Sequence, residues 1–233
     1  MNIIQKFITN NENYQTKKQI TPKGLMLHSV GTAQPSAEVF FKIYNSPRPN
    51  GQQVGVHAFV DASGQVLQTL PWNWRAWHSG GSANDTHIGV EMTEPGTISY
   101  IGGSGFTDHD PEKTREFVKG TYVTATDLFA YLCKEYKLDP LADGVIISHS
   151  EGYKRGIASN HGDVEHIWNK YGLTMQQFRL DVQTKMQQQG PAEWAKEAWA
   201  WAIKNGLTDG TRPQDFATRQ EIITLLYRFS SLK

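Results

Sequence analysis

The chain has 233 residues, 23 basic and 23 acidic, and a single cysteine, Cys133. This length suits one substantial domain with a small appendage. The zero net charge excludes the broad basic field that holds nucleic acid, and the lone cysteine excludes an intrachain disulfide. No stretch approaches the ~18 consecutive apolar residues of a membrane span. The opening MNIIQKFITNNENYQTKKQ lacks the uninterrupted apolar core and small-residue cleavage site of a secretory signal. A soluble protein made in the cytoplasm is expected, with any export supplied by another agent.

Strands and helices alternate along the first three quarters of the chain, as in an α/β domain. Leu25–Val30 is a short apolar run carrying His28. Ser36–Asn45 has apolar residues at 39, 40, 43 and 44, the spacing of an amphipathic helix, and SPRPNG ends it. Val54–Val60 and Gln65–Leu70 flank Asp61-Ala62-Ser63-Gly64 and read as a β-hairpin. Ile88–Met92 is a further strand carrying Glu91. Gly96–Asp108 is Gly-rich and reads as a surface loop. Asp110-Pro111-Glu112 then opens a helix, with an acid at the cap and Pro in the first turn. That helix is expected to run to about Tyr136, with Phe117, Thr121, Leu128 and Leu132 packed on the sheet and Cys133 buried in its apolar pattern. Val145–Ser148 is the last strand, and Thr174–Gln188 the last helix of the domain.

The composition changes at Gly190. The expected organisation is a catalytic domain over residues 1–182, a linker over 183–190 and a C-terminal unit over 191–233. In that unit Trp194, Ala198, Trp201 and Ala202 follow helical spacing, and Asn205-Gly206 stops the helix. Thr218-x-x-Glu221 is a capping box that opens a second helix, with an apolar stripe of Ile222, Leu225, Leu226 and Phe229. A helix–loop–helix unit of this size, without disulfide or metal, rarely stands alone. Docking or self-association into a homo-oligomer is therefore expected.

His28, His149 and Asp163 read as three ligands for one zinc ion, with Glu91 as the carboxylate beside it. Three protein ligands and one open position make a hydrolytic zinc site rather than a structural one. Two neutral imidazoles and one carboxylate leave a net charge of about +1, which polarises a water and a carbonyl together. Glu91 can carry a proton to a leaving nitrogen, and a protonated His161 can stabilise an oxyanion. Spacing alone does not select this set from eight histidines, and no HExxH pair is present. His57, in VGVHAFV, reads as a buried structural residue. His87 and His109 border loops and read as exposed, and His166 reads as a packing or surface residue. His78, beside Trp77, reads as part of a cleft wall.

The motifs GLMLHSVG (24–31), VGVHAFVDASGQVLQTLP (54–71), WHSGGSANDTHIGVEM (77–92) and VIISHSEGYKRGIASNHGDVEHIW (145–168) occur in the order of the zinc-dependent N-acetylmuramoyl-L-alanine amidases. The chain resembles that family, which also includes the peptidoglycan recognition proteins and T7-type phage lysozymes. The resemblance implies a mixed central β-sheet flanked by helices and a groove containing one zinc ion. It places His28, His149 and Asp163 on the metal and Glu91 as the acid/base. His161 falls where the family often has a Lys that stabilises the transition state. Asp163-Val164-Glu165 departs from the family's usual sequence there, so His161 remains an alternative third ligand. Trp77, His78 and Asn84 fall on the expected substrate wall.

The tail resembles part of an S-layer homology module in WAKEAWAWAIKNGLTDG and in Ala217-Thr218-Arg219-Gln220-Glu221. That resemblance implies a secondary cell-wall polymer as partner, with Arg219 and Trp194 as candidate contacts. The expected function is hydrolysis of the bond between N-acetylmuramic acid and L-alanine in bacterial peptidoglycan by a phage or prophage endolysin. Such an enzyme is made in the host cytoplasm and released to the wall by a holin. The alternatives are a cytoplasmic muropeptide-recycling amidase and a recognition protein that binds peptidoglycan without cutting it.

Overall fold

The structure is a computed structural model that describes residues 1–187, 191–208, 210 and 217–230. The chain divides into two compact units, Met1–Lys185 and Met186–Lys233.

In the first unit, strand β1 (Asn2–Gln5) and the short helix α1 (Glu12–Thr16) precede β2 (Gly24–Ser29). Helix α2 (Ala37–Tyr44) leads to the hairpin β3 (Ala58–Val60) and β4 (Gln65–Gln68), and β5 (His87–Met92) follows. Next come β6 (Ile98–Gly102), β7 (Gly105–Asp108), the long helix α3 (Pro111–Tyr136) and β8 (Ile146–Ser148). Helices α4 (His149–Lys154), α5 (Glu165–Trp168) and α6 (Met175–Gln187) close the unit. The main sheet has the order β1-β4-β3-β5-β2-β8. Only the β3–β4 pair is antiparallel, so the sheet is mixed.

β2 lies between two parallel neighbours, and all six of its residues are buried. Its near-continuous apolar run is what a strand covered on both faces needs. On one face α2 packs Phe40 in a stack on Phe59, with ring centroids 5.4 Å apart. Helix α3 covers the sheet through Val118, Tyr122, Ala125, Leu128, Phe129 and Leu132, a repeat of three and four that keeps one stripe inward. Phe117 lies beside this stripe, half-buried, and Val118 takes the inward place. Asp110 caps α3 by accepting from the Lys113 amide, and Cys133 is fully buried.

The structure differs from the sequence reading in three places. Gly96–Asp108 contains a two-stranded hairpin rather than a loop. Its alternating residues bury Ile98 and Phe106, and Gly102 and Gly103 adopt the positive φ that its turn requires. The N-terminal segment adds an edge strand, because β1 pairs in parallel with β4. Residues 183–187 of the expected linker continue helix α6, whereas 188–190, including the end of the expected Thr174–Gln188 helix, lie outside the described residues.

In the second unit, helix α7 (Lys196–Lys204) ends in paired bonds from the Leu207 amide to the Ala202 carbonyl and from Gly206 to Ile203. These bonds satisfy carbonyls of the last turn. Helix α8 (Arg219–Ser230) starts with the expected capping box. Thr218 N donates to Glu221 at 2.8 Å, and Glu221 N donates to Thr218 Oγ1 at 3.2 Å.

Candidate metal centre and active site

Parallel pairing places His28 of β2 directly beside Glu91 of β5, which in turn lies beside Phe59 of β3. Register partners project from the same face, so His28 and Glu91 share the face on which Phe59 meets α2. Both lie near the carboxyl ends of their strands, where open α/β sheets form ligand crevices. A cavity of about 1010 Å³ opens there, lined by His28, Trp77, Glu91, His149, His161 and Asp163 among others.

His149 arrives through a helix start. Ser148 ends β8 and caps α4 by accepting from the Glu151 amide, while Glu151 accepts from the Ser148 amide. This reciprocal box fixes the exit angle of the chain at His149, the first residue of the helix. Two further bonds tie the turn to the segment carrying Asp163. Ser150 N donates to the Asp163 carbonyl at 3.0 Å, and Ser148 Oγ donates to Glu165 at 2.7 Å. The guanidinium of Arg179 in α6 holds Glu151 and the Ile146 carbonyl from behind.

His28 Nδ1, His149 Nδ1 and Asp163 Oδ2 form a triangle with edges of 3.0, 3.4 and 3.7 Å. A tetrahedral zinc site with bonds of about 2.0–2.1 Å has ligand separations of about 3.4 Å. Two imidazole nitrogens and one carboxylate oxygen at these separations fit zinc in both geometry and donor chemistry. Among the described residues this is the one group of three whose donor atoms could hold a metal ion. His161 stands outside the triangle, exposed on the cavity wall with its ring 4.5 Å from that of His149.

The hydrogen bonds assign the tautomers. His78 Nε2 must donate to the His87 carbonyl at 3.1 Å, which leaves His78 Nδ1 as an acceptor. His28 Nε2 donates to that atom at 2.9 Å, so the lone pair of His28 Nδ1 points into the triangle. On His149, Nε2 donates to Ser159 Oγ at 3.3 Å, and again Nδ1 faces inward. Ser159 Oγ in turn donates to the Ser79 carbonyl at 3.1 Å and contacts His161 Nδ1 at 3.1 Å. Outer partners of this kind orient metal-binding imidazoles. Gly89 makes the arrangement possible, because a Cβ there would lie 2.4 Å from the His78 ring.

Electrostatics favour the neutral imidazole and the charged carboxylate that a metal needs. Burial, then the charge of His28, lowers the pKa of His149 to about 4. Burial and neighbouring histidines push His78 well below its ordinary value. For Asp163, burial pulls upward, but the neighbouring His28 and His149 outweigh it, so the net shift is downward. Glu91 moves the other way. Burial, then the charges of Asp163 and Glu94, raise its pKa well above the ordinary carboxyl range. Glu91 Oε2 is enclosed and has no hydrogen-bond partner within the described residues. A carboxyl with raised pKa and an uncommitted oxygen beside a metal-ligand triangle is equipped to take and return a proton.

Of the three residues expected on the substrate wall, Trp77 lines the cavity at 38 % exposure, with the Arg75 guanidinium 4.6 Å from its ring. His78 borders the cavity, but both its ring nitrogens are committed within the protein. Asn84 has no exposure, so contact with substrate is excluded. Its Oδ1 accepts from the His78 amide, the Ser79 amide and the Ser79 hydroxyl, and so shapes the Trp77–Gly81 turn. His87 is also corrected, since it is buried and braced by Thr86 and the Gly144 carbonyl. In the second unit Arg219 is exposed on the first turn of α8, and Trp194 is 89 % exposed.

Sequence reading passed over Ser159, Glu94 and Tyr100, and took His166 as a packing or surface residue. Glu94 is 1 % exposed, and its two oxygens accept from the Gly31 amide at 3.1 Å and the Tyr100 hydroxyl at 2.8 Å. Tyr100 Oη also meets His166 Nε2 at 2.7 Å, and both residues line the cavity. Glu94, at the end of IGVEMTE, carried no spacing signal, and the other three lie in segments read as loop or surface.

The model of the N-acetylmuramoyl-L-alanine amidase family matches residues 17–172, well over half of the chain. The chain belongs to that family. It is 32 % identical over 77 residues to the 1,6-anhydro-N-acetylmuramyl-L-alanine amidase AmpD of Escherichia coli, covering 30 % of this chain and 39 % of that protein. The chain thus spans about two-fifths of the length of the curated relatives it matches. Its fold is similar to that of the Staphylococcus aureus hydrolase AmiA (TM-score 0.62, 17 % identity, 88 % of this chain and 86 % of that one). It is also similar to a mutant endolysin from Bacillus subtilis (TM-score 0.53, 20 % identity, 78 % and 99 %).

Proposed function

We propose that the protein is a zinc-dependent hydrolase that cleaves the amide between N-acetylmuramic acid and L-alanine in peptidoglycan. The observation that carries this reading is the convergence of His28 Nδ1, His149 Nδ1 and Asp163 Oδ2 in one cavity with the carboxyl of Glu91. Zinc, when bound, supplies a Lewis acid for the amide carbonyl and an acidified water. Glu91 takes a proton from the attacking water and returns it to the leaving alanine nitrogen. Its raised pKa favours holding that proton until it is returned. His161, which contacts Ser159 on the cavity wall, is in this reading the group that, once protonated, donates to the developing oxyanion. Trp77 offers a flat apolar face to the sugar or the peptide.

The biological setting that we favour is a phage or prophage endolysin acting on the host wall after holin-dependent release. The similarity to a solved endolysin fold supports it, as does a C-terminal unit that presents Arg219 and Trp194 to solvent. In this reading those two residues contact a secondary wall polymer, and the unit's exposed Ile223, Leu226 and Phe229 offer a surface for self-association. A second reading, a recycling amidase acting on soluble anhydro-muropeptides, draws on the AmpD relatives. Sedimentation with intact sacculi separates the two, because an endolysin pellets with the wall and a recycling enzyme stays in solution.

Glu91→Gln tests the mechanism. The substitution is nearly isosteric and removes proton transfer alone. We expect unchanged folding and zinc content with turnover lowered by about 10²–10⁴-fold. Turnover near that of the unaltered enzyme removes Glu91 from the chemistry.

A further inference from the structure

At the wall of the cavity lies a largely buried polar cluster that the proposed mechanism does not use. The Tyr100 hydroxyl donates its single proton to Glu94 Oε2, so its oxygen accepts from His166 Nε2. Burial and the charge of Glu94 keep the hydroxyl protonated. The other oxygen, Glu94 Oε1, accepts from the Gly31 amide and lies 3.6 Å from His166 Nε2.

The position of each partner in the chain is informative. Gly31 stands three residues after His28, Glu94 three after Glu91, and His166 three after Asp163. Three segments that are remote in sequence, each delivering one group to the active site, are therefore joined one turn further on at a single point. Tyr100 comes from the β6–β7 hairpin and is the bridge between Glu94 and His166. The same hairpin sets Ser104 against the loop before Asp163, with Ser104 Oγ 2.7 Å from where a Cβ of Gly162 would stand. The arrangement costs the burial of a carboxylate, an imidazole and a phenol, which an apolar core would avoid.

We infer that Glu94, Tyr100 and His166 form a clamp that sets the spacing of His28, Glu91 and Asp163, with Tyr100 as its bridging positioning residue. None of the three is a proposed metal ligand or proton carrier. It acts by holding the ends of β2, β5 and the segment before α5 at fixed separation. This inference rests on the proposed zinc amidase reading.

Tyr100→Phe in the full chain tests it. The variant removes only the bridging oxygen and keeps the ring against Phe106 and His166. The measurements are zinc affinity, by competition with a chromophoric chelator, and kcat and KM on muramoyl peptides. We expect zinc affinity and kcat each to fall about tenfold with KM unchanged, since supporting partners of metal ligands have effects of that size. His166→Gln, which keeps an N–H donor, should recover most of the loss relative to His166→Ala. Phe106→Leu, which loosens the same hairpin but keeps every polar group of the cluster, should lower the melting temperature but leave zinc affinity unchanged. Zinc affinity and kcat of Tyr100→Phe equal to those of the unaltered protein overturn the clamp, as does an equal loss in Phe106→Leu. If the unaltered protein binds zinc but does not cleave muramoyl peptides, the amidase reading fails and the zinc measurement still decides the clamp. If it binds no zinc, both fail.

Discussion

Proton positions on three histidines decide whether the site is ready for a metal. The carbonyl of His87 fixes His78, His78 fixes His28, and Ser159 fixes His149, so both Nδ1 atoms are free to bind. Asp163, not His161, completes the triangle. Asp163→Ala should therefore abolish stoichiometric zinc, whereas His161→Ala should keep it and lose turnover. Metal analysis of the two purified variants checks this, and the opposite pattern would exchange their roles. His57 shows what a histidine does when it is structural. Its Nε2 donates to the Trp74 carbonyl and its Nδ1 accepts from the Gly89 amide, and burial lowers its pKa to about 4. Because the folded value lies below the ordinary value of about 6.5, the neutral ring stabilises the fold above pH 6.5. That contribution, at most roughly 3 kcal/mol, is lost as pH falls from 6.5 towards 4. Urea midpoints should drop over this window in the unaltered protein, and the drop should be shallower in His57→Gln. Equal slopes would show that His57 does not govern it. The convergence of His28, His149, Asp163 and Glu91 was legible because each sits in a motif with its own neighbours. Glu94, Tyr100 and His166 were not, because their meaning arises only where three distant segments meet. Asn84, read as cleft wall beside Trp77, is turned inward and fully buried, whereas His78 does border the cavity.

At the scale of elements, hydrophobic period and caps carried most of the information. The Asp110 cap and the Thr218–Glu221 box form as their spacing requires. The β6–β7 hairpin was obscured because its glycines suggested a loop, although Ile98 and Phe106 supplied an inward face. β1 was invisible for a related reason, since an edge strand of four mostly exposed residues carries little pattern. Helix α6 is anchored by Phe178, which is fully buried and meets Phe129, Tyr122 and Trp168 at centroid distances of 5.1–5.4 Å. Trp168 ends α5, so this cluster also fixes the helix that follows Asp163. Phe178→Ala should cost about 3–5 kcal/mol by chemical denaturation. A loss below about 1 kcal/mol would show that α6 is not held by this cluster.

At the scale of the molecule, one sheet brings His28, Glu91 and His149 to the carboxyl ends of three parallel strands, the loop before α5 adds His161 and Asp163, and a second compact unit follows. The amidase family accounts for the first unit through residue 172. No helix among the described residues is long and apolar enough to cross a membrane. Digestion of purified sacculi by the zinc-loaded and the chelated full chain tests the central claim most directly, with new alanine amino termini and new reducing sugar ends assayed separately. The account predicts alanine termini that appear only with zinc, and no reducing ends. Binding to the sacculi with neither product would contradict it and make the protein a recognition module.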